Sequence, residues 1–125
     1  MPCHTDLEKR FADFLDGAKD VVRYFKNERL GFSVTYYEGN RPRQYYPDFI
    51  VVTRGVSGRE EMWLAETKGE NQTEYGAKEH AARLWCEKMS GTKYGQWRYL
   101  LVPQRDFERP STVEAPTLDE LAKRL

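Results

Sequence analysis

Two short apolar segments in the middle of the chain constrain its fold most strongly. One covers residues 45–52 (Tyr-Tyr-Pro-Asp-Phe-Ile-Val-Val) and the other residues 62–68 (Met-Trp-Leu-Ala-Glu-Thr-Lys). Both are nearly continuous in apolar side chains, which is typical of strands covered on both faces. The turn-forming sequence Gly-Val-Ser-Gly at 55–58 separates them. The sequence therefore predicts two central strands joined as an antiparallel hairpin.

Apolar residues at helical spacing predict a first helix from about Thr5 to about Glu28, bent or broken near Gly17. Thr5 and Glu8 have the form of a capping box at its start. The remaining predicted elements are a strand over 32–37, a helix over about 74–89, a strand over 96–102 and a short helix over about 118–125, preceded by Thr117 as a cap.

This order, α-β-β-β-α-β, predicts an α/β fold with a central mixed four-stranded sheet flanked by helices. The strand–helix–strand unit that ends at residue 102 requires a parallel pair with a right-handed connection. With 125 residues the chain is long enough for one domain. We expect a single domain over 1–125, with a core over about 5–103 and a polar tail with a short helix over 104–125.

Ionisable residues interrupt the two apolar strands, and they are the candidate catalytic residues. Asp48 follows Pro47 in the first strand, and Glu66 and Lys68 lie two apart at the end of the second. Alternation along a strand places Glu66 and Lys68 on the same face. Charges inside central strands are costly unless they are paired or bind a metal, so these three residues point to chemistry.

The predicted register sharpens this expectation. A hairpin centred on Ser57 places Asp48 directly opposite Glu66, since each lies nine residues from the centre. Directly opposed residues share a face of the sheet. Two carboxylates there repel each other unless a cation lies between them, and carboxylate oxygen is the ligand that Mg²⁺ prefers. Lys68 lies beside the expected metal site, where it can orient water or stabilise charge on a phosphate.

Charge and composition bound the partners and the compartment. Twenty basic and twenty acidic residues cancel, so the domain by itself is expected to bind DNA weakly. No apolar run approaches the length of a membrane span, and the first residues do not resemble an export signal. The two cysteines fit no zinc or redox spacing. We therefore expect a cytoplasmic protein with no membrane partner.

The blocks Tyr-Pro-Asp-Phe-Ile-Val-Val and Trp-Leu-Ala-Glu-Thr-Lys-Gly resemble the PD-(D/E)XK nuclease superfamily. In particular, they are similar to the nuclease domain that ends the Res subunits of type III restriction-modification enzymes, and to the nuclease regions of DEAD/DEAH-type helicases. The resemblance covers roughly residues 7–102 and implies a restriction-endonuclease-like core. It implies a Mg²⁺-dependent DNA endonuclease, with Mn²⁺ substituting for Mg²⁺. The implied partners are DNA and a helicase, translocase or modification subunit, or a larger parent chain.

The same resemblance implies roles for individual residues. Asp48 and Glu66 would be catalytic metal ligands and Lys68 the catalytic lysine. Thr67 would add a backbone carbonyl ligand, Glu8 a further carboxylate, and Lys78 a contact to the substrate. The chain contains no Walker-type Gly-Lys-Ser/Thr loop, which departs from a complete helicase-nuclease.

Alternatives remain for several of these residues. Asp48, Glu66 and Lys68 form a structural ion-pair cluster if the fold is an inactive nucleic-acid-binding or structural module. Glu8 is a helix cap rather than a metal ligand if the capping box forms. Lys78 lies on an apolar stripe, and its alternative role is to cover apolar surface with its stem while its ammonium group stays in water. Activity on RNA or single-stranded DNA is as compatible with the sequence as activity on duplex DNA.

Overall fold

A computed structural model describes residues 3–27, 31–55, 57–69, 76–93 and 95–125 of the chain. The elements are, in order, α1 (Cys3–Gly17), β1 (Val21–Lys26), β2 (Val34–Glu38), β3 (Arg41–Tyr45), β4 (Phe49–Arg54), β5 (Glu60–Lys68), α2 (Gly76–Met89), β6 (Gln96–Pro103), α3 (Gln104–Phe107), α4 (Pro110–Val113) and α5 (Leu118–Arg124). None of the helices in this described part of the chain combines the length and apolar character needed to cross a bilayer.

A four-stranded mixed sheet with the order β1-β4-β5-β6 forms the centre of the fold. β4 and β5 pair antiparallel, and β5 and β6 pair parallel through the α2 crossover. Phe49 lies opposite Ala65 and Val51 opposite Trp63, which is the register of a hairpin centred on Ser57. The mixed sheet, both strand directions and this register are confirmed.

The composition of the sheet differs from the prediction at its first strand. The predicted helix is wrong between Gly17 and Asn27, because residues 21–26 form β1 and pair antiparallel with β4. Its predicted end at Glu28 lies outside the described residues. The apolar residues of this segment fit the periodicity of a helix as well as that of a strand. Val21, Val22, Tyr24 and Phe25 are β-branched or aromatic and favour a strand when a partner is present. Hydrogen bonding to β4 therefore decides the outcome.

The strand predicted over 32–37 lies outside the main sheet. It corresponds to β2, which pairs only with β3 in a separate two-stranded hairpin. Gly39 opens its two-residue turn with a φ of 66°, the conformation that a type II′ turn requires at that position. The strand predicted over 45–52 is likewise divided, because Pro47 has no N–H to donate to a ladder, so β3 ends at Tyr45 and β4 begins at Phe49.

The sheet separates two apolar cores. Leu7, Phe11 and Leu15 of α1 pack on one face, and Ala82 and Cys86 of α2 pack on the other. Residues 104–125 were expected to lie outside the core, but they add buried side chains to the α1 side. These are Phe107, Ala115, Leu118 and Leu121. The predicted last helix is confirmed, with the Thr117 side chain accepting a hydrogen bond from the N–H of Glu120.

Candidate active site at the end of the central strands

Asp48 and Glu66 meet where β4 begins and β5 ends, and hydrogen bonds hold both carboxylates there. The backbone N–H of Asp48 donates to Oε1 of Glu66 (2.9 Å). In return, the backbone N–H of Thr67 donates to Oδ2 of Asp48 (2.9 Å). Each carboxylate is thus anchored on the strand that carries the other one. Glu66 is only 6% exposed, whereas Asp48 is partly exposed.

The Asp48 carboxylate does not simply lie on the same face of the sheet as Glu66. Oδ2 of Asp48 also accepts a hydrogen bond from the hydroxyl of Thr67 (2.7 Å). Alternation along β5 places Thr67 on the side of Ala65 and Glu66 on the side of Leu64. The Asp48 carboxylate therefore turns across the end of the strand pair toward Thr67. The amide and hydroxyl of Thr67 are the groups that contact Asp48, while its carbonyl as a metal ligand stays a prediction.

The buried Asn27 holds the backbone next to Asp48 in place, and it was not among the residues predicted from the sequence. The side-chain N–H₂ of Asn27 donates to the carbonyls of Pro47 (2.9 Å) and Phe32 (2.7 Å). Its Oδ1 accepts from the N–H of Phe32 (3.1 Å), and its backbone N–H donates to the carbonyl of Asp48 (2.8 Å). These bonds set the conformation of the Pro47–Asp48 segment. Nothing in the local sequence distinguishes Asn27 from a loop asparagine.

Lys68 ends β5, two residues beyond Glu66, and is partly exposed. It lies opposite Pro103 in the parallel pairing with β6. The two-residue spacing places its side chain on the same side of the strand as Glu66. The structure therefore places Lys68 at the same end of the sheet as the two carboxylates, which is where the sequence analysis expects it.

Two buried tyrosines lie next to the carboxylates and were also missed. The hydroxyls of Tyr45 and Tyr99 are 3.3 Å apart. Burial raises the pKa of Tyr45 far above its ordinary value, and the negative charges of Glu66 and Asp48 raise that pKa further. Burial is likewise the main cause that raises the pKa of Tyr99. Both phenols therefore stay protonated at neutral pH and form a polar floor beside Glu66.

Lys78 reaches the same neighbourhood from α2. Its Nζ lies 5.9 Å from the centre of the Tyr45 ring, within range of a cation–π interaction. Tyr45 in turn lies close enough to Glu66 for that carboxylate to raise its pKa. The second helix thus brings a lysine toward the strand ends, as the predicted substrate contact requires.

Glu8 is not part of a capping box, and its role as a metal ligand stays a prediction. Thr5 lies inside α1, which begins at Cys3, so the predicted capping box is wrong. Oε1 of Glu8 instead lies 3.1 Å from Nζ of Lys26, at the end of β1. Lys26 precedes Asn27, whose backbone binds Asp48. Glu8 is therefore near this end of the sheet, with a lysine as a charge partner.

The donor set suits a hard divalent cation. Within the described ranges, no group of three or more His, Cys, Asp or Glu side chains is arranged to hold a metal ion. Mg²⁺ does not need one, because it is usually bound by one or two carboxylates together with waters and substrate phosphates. An ionised carboxylate has about four lone-pair sites, so the hydrogen bonds to Asp48 and Glu66 are compatible with coordination.

Comparison with family models, with curated proteins and with solved structures finds no match for this chain.

Proposed function

We propose that this domain hydrolyses phosphodiester bonds of DNA with a bound Mg²⁺, using Asp48, Glu66 and Lys68. The observation that carries the proposal is the reciprocal anchoring of two carboxylates at the end of β4 and β5. A nearly buried carboxylate beside a second acid is electrostatically unfavourable unless hydrogen bonds and a cation compensate for it. Mn²⁺ is expected to replace Mg²⁺.

Each residue has a separate role in this proposal. Asp48 and Glu66 bind the cation, which when present polarises the phosphodiester and lowers the pKa of a water. Lys68 orients the attacking water and stabilises the charge that develops on the phosphate. Thr67 holds the Asp48 carboxylate through its amide and hydroxyl. Lys78 binds a neighbouring phosphate from α2, and a helicase, translocase or modification subunit delivers the duplex.

A second candidate is a module that keeps the fold without turnover. The hydrogen bonds from Asp48 N–H and Thr67 N–H favour it, because they give both carboxylates a structural role in closing the strand pair. Hydrogen bonding of this kind does not involve Lys68, whereas the proposed hydrolysis uses it. Lys68 is therefore the residue at which the two candidates separate.

The test is nicking of supercoiled plasmid by the wild type and Lys68→Ala, each with Mg²⁺, Mn²⁺ or EDTA. We expect metal-dependent nicking by the wild type and a loss of at least about 100-fold in Lys68→Ala, the size of effect seen when one charge-stabilising group is removed. Lys123→Ala is the matched control, because Lys123 is an exposed lysine of α5. Single-stranded DNA and RNA substrates in parallel identify the polymer.

Nicking that EDTA does not abolish, or nicking by Lys68→Ala at the wild-type rate, contradicts the assignment. No cleavage of any of these substrates by a folded wild type with either metal favours the inactive module.

A further inference from the structure

A cleft of about 550 Å³ runs between the β2–β3 hairpin and α2, outside the candidate active site. Most of its lining is apolar or aromatic, and two exposed nitrogen-bearing side chains, His80 and Lys88, also line it. The lining includes Val34, Tyr36, Ala81, Trp85, His80 and Lys88. No carboxylate is among the described residues that line it. The cleft therefore offers flat ring surfaces beside positive charge.

Of the aromatic side chains of the cleft, Trp85 is held in place by neighbouring rings, and Tyr37 is open to solvent. Trp85 packs edge-on against Phe32 and Trp97, with ring centres 5.1 and 4.9 Å apart. Tyr37 follows Tyr36 on β2 and is 65% exposed. Leu84 of α2 is 40% exposed at the same cleft. Partly exposed rings of this kind stack nucleobases without selecting among them, since every base has a π face.

The cleft leads to the candidate active site. Val34 pairs with Tyr45 across the hairpin, and Tyr45 lies beneath Lys78. From Lys88 to Lys78 the helix rises about 15 Å, along the stripe that lines the cleft. β3 then ends at Tyr45, three residues before Asp48. The hairpin that lines the cleft thus ends close to Asp48 along the chain.

We infer that this cleft binds an unpaired strand of nucleic acid, with bases stacked on its aromatic side chains and phosphates beside Lys88 and His80. The inference rests on the proposed function, because the strand held in the cleft is the one that reaches Asp48. Flat rings and a cationic rim match a polyanion with exposed bases. In a duplex the bases are already stacked on each other, so only its phosphates can use the cleft.

The test measures binding in EDTA, where cleavage plays no part. Fluorescence anisotropy is followed with labelled oligo-dT, oligo-rU and a blunt duplex of equal length. We expect both single strands to bind more tightly than the duplex. Tyr37→Ala should weaken single-strand binding at least about fivefold, while Tyr37→Phe, which keeps the ring, should retain it. Lys88→Ala should reduce the slope of log K against log salt by roughly 0.7, the value for one phosphate on a single strand.

Lys19→Glu is the charge control for Lys88→Glu, because Lys19 is an exposed lysine before β1, at the far end of the sheet. Loss of binding in Lys88→Glu but not in Lys19→Glu supports the inference. Equal or tighter binding of the duplex, or single-strand binding that Tyr37→Ala and Lys88→Glu leave unchanged in folded variants, overturns it. So does the absence of any oligonucleotide binding, which favours a protein or a second copy of the chain as the occupant.

The two proposals fail separately. If the wild type cuts DNA and both cleft variants bind and cut as it does, the active-site assignment stands and the cleft inference is wrong. If oligonucleotides bind through the cleft but Asp48 and Lys68 variants bind them equally and no substrate is ever cut, the cleft inference stands and the nuclease proposal is wrong.

Discussion

Carboxylates at the two ends of the four-stranded sheet have different surroundings. Where β4 ends and β5 begins, Glu60 binds the guanidinium of Arg54 (2.9 Å). Nearby, Arg98 lies between Asp119 (3.0 Å) and Glu61 (3.5 Å). All these side chains are at least one-third exposed, and such pairs contribute little to stability. This end is built from matched surface charges.

At the other end, the chain places two carboxylates together and shields one of them. Asp48 and Glu66 accept hydrogen bonds from each other's strands, and Glu66 is nearly inaccessible. Tyr45 and Tyr99 are buried beside Glu66, and charge interactions are stronger in a protein interior than in water. Exposed carboxylates in this chain thus pair with arginines, whereas the nearly buried Glu66 lies against the backbone of a second acid, Asp48.

The largest effect is expected for Asp48→Asn. An amide keeps the acceptor oxygen for Thr67 but removes the charge that binds the cation, so nicking should fall by at least about 100-fold. Without metal, the free energy of unfolding should be unchanged or higher, because one of two neighbouring like charges is lost. Millimolar Mg²⁺ should raise the melting temperature of the wild type by mass action and leave that of Asp48→Asn unmoved.

Asp119→Asn at the far end is the matched control for Asp48→Asn, and it should nick plasmid at the wild-type rate with the same Mg²⁺ shift. Two results together would mean that Asp48 is a structural residue, like the ion-paired carboxylates at the far end of the sheet. These are a wild-type melting temperature that Mg²⁺ and Mn²⁺ leave unchanged, and an Asp48→Asn variant that is less stable than the wild type.

The next effect concerns the hydroxyl that holds Asp48. Thr67→Val deletes the donor to Oδ2, and hydrogen bonds to charged groups contribute about 1.5 to 3 kcal/mol. We expect a loss of unfolding free energy in that range by urea denaturation, and slower nicking because the carboxylate is less well held. Thr67→Ser, which keeps the hydroxyl, should lose less.

Thr112→Val provides the comparison for Thr67→Val. Thr112 is fully buried, and its hydroxyl has no hydrogen-bond partner among the described residues. Its replacement should change stability by less than about 1 kcal/mol or increase it, because an unsatisfied polar group is removed. If Thr112→Val costs as much as Thr67→Val, methyl packing rather than the bond to Asp48 explains both results.

Some of this arrangement follows from the sequence. Two apolar runs with turn residues between them predict β4 and β5, and a loop with an odd number of residues centred on Ser57 predicts their register. That register also brings Asp48 and Glu66 together. Local pattern and one symmetric turn are sufficient for this step.

The rest depends on contacts between distant residues. The spacing of apolar residues at 18, 21, 22 and 25 fits a helix as well as a strand, and only pairing with β4 decides between them. Asn27 becomes a positioning residue because the fold brings Pro47 to it. Tyr45 lies beside Glu66 only after β3 and β5 have packed. Sequence periodicity carries none of this information.

The smallest effect is the acid dependence of the far-end ion pairs. The hydrogen bond from Arg98 is the main cause that lowers the pKa of Asp119, and Lys123 adds to it. Because the folded pKa lies below the unfolded one, the pair stabilises the fold above the ordinary Asp pKa of about 3.9. This contribution is lost as the pH falls through the depressed folded value. Since Asp119 is about half exposed, solvent screening limits the contribution to about 1 kcal/mol or less.

Asp119→Asn should therefore be slightly less stable than the wild type at pH 7, and the difference should disappear as the pH falls below the depressed folded pKa. Urea denaturation of both proteins across this pH range measures it. At about 1 M salt, where the screening length is roughly 3 Å, the pH 7 difference should shrink as well. A difference that persists in acid and in salt would show that Asp119 acts through packing around Arg98 rather than through charge.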